Sequence, residues 1–424
     1  MSFAKNEASY IIYSGSATGG PYFAKNGSTG KIDFSGSNAS TVINGSINAL
    51  TSGGKILLKD GIYIISGSII PANNIILEGS YPSTILGVVQ YFSGSFILYT
   101  GSDDLIRFTV KNLQLSGSRQ VSGSGIHIKK PVRVIIDNVY VFNTFGNGIF
   151  FEDAPSQSLS SIIRHGEVRN AREHGIRIDG VYDCFIYDMV VAQSVQHGIR
   201  LGSASHQITN NRIGSSGQGK SVGHNIALVG AIDCLVENNF CEEALQHGIY
   251  CSGDRNTIIG NKCRNNSSVS TGSFDGIFLD TTADYNIIIG NKCYDTNTFT
   301  MQRYGLRITG STYNLIMSND FRGNSGSVWD QGLDNTIKYN EGYITENTGT
   351  ATITGLSGSI AHGLYSGSVS PPKVRLTVTG SATFDPNSTG PVVSYPSGSA
   401  NNWTGFWVRQ TGSGTIGFDW EAEI

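Results

Sequence analysis

The sequence predicts an all-β chain wound as a right-handed parallel β-helix, with an N-terminal capping helix and a small C-terminal antiparallel, sandwich-like β module. Three observations predict it. A short phrase recurs at steps of 23 to 29 residues. Each copy alternates apolar and polar positions with period 2. A line of asparagines runs in phase with the phrase. The 424 residues are also too many for one ordinary globular core unless the architecture is elongated.

The phrase is a polar residue, then Gly, then apolar-x-apolar. It reads Ser124-Gly-Ile-His-Ile, Asn147-Gly-Ile-Phe-Phe, His174-Gly-Ile-Arg-Ile and His197-Gly-Ile-Arg-Leu. It continues as His224-Asn-Ile-Ala-Leu, His247-Gly-Ile-Tyr-Cys, Asp275-Gly-Ile-Phe-Leu and Tyr304-Gly-Leu-Arg-Ile. Self-similarity at a fixed period marks a repeat architecture, and three short strands with three turns need roughly 22 to 30 residues per coil. Two apolar columns then face inward. One runs from Ile126 through Ile149, Ile176 and Ile199 to Leu306. The other runs from Ile128 through Phe151 and Ile178 to Ile308. No copy shows the 3.6-residue period of a helical solenoid.

The asparagine line is Asn112, Asn138, Asn211, Asn239, Asn261, Asn291, Asn319 and Asn340, with Asp188 in one copy. It fits a tight turn in which a short amide tolerates the left-handed region and bonds its neighbours above and below. Cys241, Cys263 and Cys293 each follow a ladder Asn by two residues, so they are expected to stack inward as small apolar groups. A Cys241–Cys263 bridge lies within reach of the strand spacing. No Cys/His spacing marks a zinc site.

Residues 1–30 read as an irregular cap or attachment segment. Val42, Ile43, Ile47 and Leu50 make one face of a helix near residues 40–50, capped by Ser40 or Thr41. The helix would plug the open end of the solenoid, which spans 31–345. From 346 to 424 the repeat stops and short alternating strands follow. Trp403, Trp407 and Trp420 lie there, suited either to packing or to stacking on sugars.

Composition narrows the function. Charged residues are 14%, against about 25% in a typical soluble domain. A net charge of −3 argues against nucleic acid as partner. No apolar run is long enough for a membrane span. The chain opens without the apolar stretch of a signal peptide. Either a leader lies outside this chain, or the protein leaves its cell by another route, such as in a virus particle.

The order Ser40-Thr-Val-Ile-Asn, Ala49-Leu, Gly53-Gly-Lys-Ile-Leu-Leu-Lys-Asp-Gly-Ile-Tyr and Ile75-Ile-Leu-Glu-Gly-Ser resembles the opening of the pectate-lyase-like β-helix superfamily. That superfamily includes polygalacturonases, polysaccharide lyases, epimerases and viral tailspikes. The resemblance covers about residues 31–345. The C-terminal module is similar to those of viral fibre proteins through Ala361-His-Gly-Leu, Pro371-Pro-Lys-Val and Phe418-Asp-Trp. The resemblance implies a polysaccharide partner, an extracellular or virion-associated location, and a homotrimer. It implies no cofactor, except calcium if the chemistry is that of a lyase. The Asn-Thr-Asp, Asp-Asp, Gly-His-Gly and Arg-Ile-Lys signatures of polygalacturonases are not matched; Asp103-Asp104, Gly223-His224-Asn225 and Arg177-Ile178-Asp179 are partial echoes. No catalytic residue is carried over from that family.

The residues themselves suggest a site. Outward positions of the Gly strands read His127, Phe150, Arg177, Arg200, Ala227, Tyr250, Phe278 and Arg307. Beside them run Lys129, Glu152, Asp179, Gly202, Val229, Ser252, Asp280 and Thr309. Rings stack on pyranose faces, and guanidiniums bind hydroxyls or uronate carboxylates. Glu152 and Asp179 are column neighbours about 5 Å apart, the separation of a retaining glycosidase pair. Arg177, Arg200 and His197 complete the catalytic candidates, with an Arg or His as base if the reaction is a lyase elimination. The competing reading is an ion ladder of Lys129, Glu152, Asp179 and Arg177. Phe150, His174, His224, His247, Tyr250, Asp275, Phe278, Asp280 and Arg307 are the substrate-binding candidates. Glu242 and Glu243 are grouped with Tyr250, Asp275 and Asp280 as a second acidic-aromatic patch. The column Asn147, His174, His197, His224, His247 and Asp275 reads as a stacked turn or as a groove wall. It is no metal site, because a linear stack places ligands poorly around one ion. Two functions stay open: a polysaccharide-binding and -cleaving enzyme, or a non-catalytic fibre or adhesin.

Overall fold

The computed structural model describes residues 8–16, 19–153, 160–218, 222–268, 272–296, 302–343 and 345–354, and five further strands, Ser357–Ala361, Lys373–Thr379, Val392–Ser394, Gly405–Arg409 and Thr415–Glu423. It is a right-handed parallel β-helix of about 10 turns with one helix. One coil shows the plan. Ile176–Asp179 lies in a front sheet, Phe185–Tyr187 in a second sheet and Val190–Ala192 in a third, before Ile199–Leu201 returns to the front. The front sheet holds ten parallel strands, from Ile97–Tyr99 to Gly326–Asp330. The second and third sheets share two long strands, Thr109–Ser116 and Ile135–Phe142, which run through both.

The inward columns are as the repeat predicts. Ile126, Ile149, Ile176, Ile199, Ile226, Ile249, Ile277 and Leu306 pair in unbroken register. All eight are fully buried. The Gly of the phrase answers a steric demand: a Cβ on Gly148, Gly175 or Gly198 would come within 2.3 Å of a third-sheet Val or Ile side chain. Where Asn225 replaces it, the amide is itself buried and donates to the Glu242 carbonyl at 3.0 Å.

The asparagine line divides. Asn112 and Asn138 take the left-handed region, with φ 56° and 53°. In later coils that conformation falls one residue earlier, at Asn210, Asn238, Gly260 and Gly290. The ladder Asn then turns inward: Asn211, Asn239, Asn261, Asn291, Asn319 and Asn340 pass Nδ2–H to Oδ1 of the next at 2.9–3.0 Å. The expected rise of one amide onto another holds; the expected left-handed turn residue is corrected for these six. All six cysteines are free and buried, so the Cys241–Cys263 bridge is absent although the two are register partners.

At the N-terminal end, Tyr10–Ser14 and Tyr22–Asn26, where an irregular cap was expected, join Ile32–Gly36 as antiparallel strands. The capping helix α1 spans Ala39–Ala49 and buries Val42, Ile43 and Ile47. Its cap is Asn38, not Ser40 or Thr41, because the Asn38 Oδ1 accepts the Ser40 N–H at 3.1 Å. The C-terminal strands form two three-stranded antiparallel sheets. Trp403 lies outside the described residues, as does the Trp407 side chain; Trp420 is buried.

Candidate functional site

The front sheet displays one row beside the inward files, interrupted once at Ala227. Phe150 stacks on His127 at 4.6 Å and carries the Arg177 guanidinium at 4.7 Å. Arg200 follows in register, then Ala227, which is fully buried. Tyr250 and Phe278 stack next at 5.8 Å. Arg307 sits between Phe278, 5.5 Å away, and Trp329, 4.3 Å away. Trp329 is an addition that the repeat did not reveal. Its strand opens Gly326-Ser-Val-Trp, with Ser327 in the place of the phrase's Gly, so the phrase is broken although Arg307 and Trp329 are register partners.

The carboxylates beside the row are not equivalent. Glu152 and Asp179 are register partners, as the columns predict. The Asp179 Oδ2 accepts from Arg177 Nε at 2.7 Å and from its Nη2 at 2.6 Å, while Oδ1 is held by Arg200. Glu152 has a looser partner, His127 Nε2 at 3.4 Å. Burial holds the His127 imidazole below its usual range, against the pull of Glu152. Asp280 accepts the Tyr250 hydroxyl at 2.6 Å, and burial together with Asp280 pushes that phenol up to about 12. Asp275 is fully buried and accepts Arg303 in a two-pronged pair at 3.0 and 2.9 Å. It is therefore an internal partner and not a surface contact for substrate. The expected patch of Glu242 and Glu243 with Tyr250 is also corrected. Glu242 belongs to the third-sheet strand Phe240–Glu242, where Arg212 and Arg264 hold it, and a turn separates it from the front row.

His174, His197, His224 and His247 form a stack with ring centroids 4.9–5.1 Å apart. Each Nδ1 accepts the backbone N–H of the next member: His174 from His197 at 3.3 Å, His197 from His224 at 3.1 Å, His224 from His247 at 3.2 Å and His247 from Asp275 at 3.0 Å. That geometry places the ring proton on Nε2 and leaves the rings neutral. Burial, then neighbouring cations, lowers His174 to about 2 and His197 to about 4. Burial lowers His224 well below its usual range and His247 to about 3. The stack thus forms a turn ladder whose outer flank abuts the row, His224 on Tyr250 at 4.8 Å and His247 on Phe278 at 4.4 Å. The turn-ladder expectation describes the column as seen.

Two concavities lie elsewhere. One of about 560 Å³ runs along the turn from the third sheet to the front, past Asn143, Asn170, Arg172 and Gln193. One of about 330 Å³ lies on the third sheet beside Arg212 and Glu242. Neither was anticipated in the sequence.

A family model described as periplasmic copper-binding protein (NosD) matches residues 160–357. No curated protein sequence matches the chain. Among solved structures, the A-module of mannuronan C-5 epimerase AlgE4 from Azotobacter vinelandii is similar with a TM-score of 0.56 at 16% identity, over 71% of this chain and 96% of that one. The tailspike gp61 of Pseudomonas phage phi297 is similar with a TM-score of 0.53 at 12% identity, over 91% and 92%. The enzymatically active domain of bacteriophage CBA120 tailspike protein 2 gives 0.56 at 12%, over 81% and 62%. The class defined is the parallel β-helix, as the superfamily resemblance implies. The copper of the matched family's description finds no fit here. Among the described residues no three His, Cys, Asp or Glu side chains converge as a metal site, and the stacked imidazoles use Nδ1 on backbone N–H groups.

Proposed function

We propose that the protein binds a polysaccharide lengthwise along the front row. The observation that carries this is the row of rings and guanidiniums from His127 to Arg200 and, past the buried Ala227, from Tyr250 to Trp329, with Arg307 between Phe278 and Trp329. Among the described residues, Arg307 pairs with no carboxylate, and its buried Nε has no hydrogen-bond partner. Aromatic faces take the apolar faces of sugar rings, and a fixed guanidinium takes hydroxyls or a carboxylate. The names of the epimerase and tailspike neighbours fit such a ligand. A location outside the cell or on a virion fits it too, and no helix among the described residues is long and apolar enough to cross a membrane.

A second reading adds cleavage, favoured by the register pairing of Glu152 with Asp179. Glu152 would then exchange the proton with the glycosidic oxygen, since both oxygens of Asp179 are held by guanidiniums. A homotrimer belongs to the fibre form of the same proposal.

A panel of polysaccharides tests both. Arg307→Ala and Trp329→Ala are each expected to weaken binding about tenfold or more. If the chain cleaves its ligand, Glu152→Gln lowers release of reducing ends or unsaturated ends about 10²-fold or more with binding kept. Binding that ignores both Arg307 and Trp329 rules out the row.

A further inference from the structure

We infer a second glycan-binding site in the concavity of about 560 Å³ at the turn from the third sheet to the front. It stands apart from the front row and rests on different residues. Its volume lies within the range of small-molecule sites, about 300–1,000 Å³. Its lining spans five successive coils, from Ser118 through Asn143, Asn170 and Gln193 to Gln218. Four steps at the inter-strand spacing make a groove about 19 Å long, parallel to the solenoid axis. That length suits an extended chain of a few sugar units and exceeds a single one.

The chemistry of the lining selects the ligand. One wall is fixed. The Gln120 Nε2 donates to the Gly94 carbonyl at 2.6 Å and the Ser124 carbonyl at 3.1 Å, and its Oε1 accepts the Phe145 N–H at 3.1 Å. The Asn170 Nδ2 donates to the Asn143 Oδ1 at 3.0 Å, and the Asn143 Nδ2 to the Ser118 Oγ at 3.3 Å. Asn143, Asn170 and Gln193 all adopt the left-handed region, with φ 55–57°, so their side chains leave the same edge in each coil. The other groups are unengaged: the Gln193 and Gln218 amides have no side-chain partner among the described residues, and neither does the Arg172 guanidinium apart from the Phe145 ring beneath it at 5.0 Å. The lining holds no carboxylate and one cation.

Amides that both donate and accept, set at a regular spacing, match the hydroxyls of a repeating sugar. An arginine braced on a ring and lacking an acid partner matches a carboxylate in a forked pair. The ligand is therefore a hydroxyl-rich oligosaccharide with an acidic sugar unit opposite Arg172. A polynucleotide is disfavoured, since its phosphates would meet a single cation and its bases no ring in the lining.

The test is calorimetric titration of the full chain with tetrasaccharides containing mannuronate, galacturonate or glucuronate, and with their neutral counterparts. At least one acidic member is expected to bind. Arg172→Ala should weaken it about tenfold, and the double variant Gln193→Ala, Gln218→Ala by a similar factor, since charged and amide hydrogen bonds to a ligand are each of that size. All three positions are exposed, so the variants should keep the wild-type melting temperature. Trp329→Ala, run in parallel, removes the front-row contribution; binding lost in Trp329→Ala and kept in Arg172→Ala would belong to the front row and overturn the second site. Equal binding of neutral members would overturn the acidic unit. Failure of every acidic member, or binding indifferent to Arg172 and Gln193, would overturn the site.

Discussion

At the scale of single residues, the histidines make the firmest statement. Four stacked imidazoles and His206, whose Nδ1 accepts the Cys184 N–H and whose Nε2 meets Ser203 Oγ at 2.9 Å, are buried and neutral. The folded values are depressed: about 2 for His174, about 4 for His197 and His206, about 3 for His247, and well below the usual range for His224. Between those values and about 6.5, the unfolded chain binds protons that the folded chain does not. Stability therefore rises with pH through that window and falls as acid is added. Arg177 and Arg200 near His174, Arg200 near His197, and Arg303 and Arg307 near His247 deepen the effect; Asp275 opposes it at His247. Each histidine contributes up to about 1.4 kcal/mol per pH unit. Thermal melting should shift downward between pH 7 and pH 5, and His197→Gln should flatten the slope. A melting temperature constant over that range would contradict neutral, buried rings.

At the scale of elements, the polar ladders matter as much as the apolar files. Asn261 is the clearest case. Its Oδ1 accepts both the N–H and the Nδ2–H of Asn239, and its Nδ2 donates to the Val236 carbonyl at 2.8 Å and to Asn291 at 3.0 Å. Asn261→Ala leaves these groups unpaired in a dry interior, at about 1–3 kcal/mol for each orphaned group. Urea unfolding should show a loss of several kcal/mol; one under about 1 kcal/mol would mean that water replaces the amide. This ladder was legible because its members are all asparagines at one phase. Two others went unread. Asn256, Asn286, Asn314 and Asn335 link the coils at the turn leaving the front sheet, where Cys234 holds the preceding place and His206 the one before it. Asn225, Asn266, Gln302 and Asn324 do so at the turn entering it. The first runs five residues ahead of Asn261, Asn291, Asn319 and Asn340 in constant phase and was open to the same reading; in the second the identities mix and the spacing changes with turn length, so no period betrays it. The front row was readable for the same reason that the files were: strands admit no insertions. The reading stopped short of Trp329 because Ser327 replaces the phrase's Gly there, although the register runs on unbroken.

For the whole molecule, each coil touches its neighbours above and below, and stability is a sum of local and nearest-neighbour contributions. A defect in one coil should therefore be felt locally. Ile199→Ala removes one fully buried member of the central file, a change that typically costs about 2–5 kcal/mol. Hydrogen exchange should quicken first in the strands Ile176–Asp179 and Ile226–Leu228 that flank it, and least in Tyr22–Asn26, covered by the N-terminal hairpin and α1. Uniform acceleration along the chain would indicate a single cooperative unit instead.

The coil steps vary between 23 and 29 residues, yet the isoleucine file never loses register. The surplus lengths are all absorbed outside the strands. Architecture and specificity are thereby uncoupled: lineages could lengthen or trim these loops, redrawing what the surface recognises, while the scaffold beneath stays untouched.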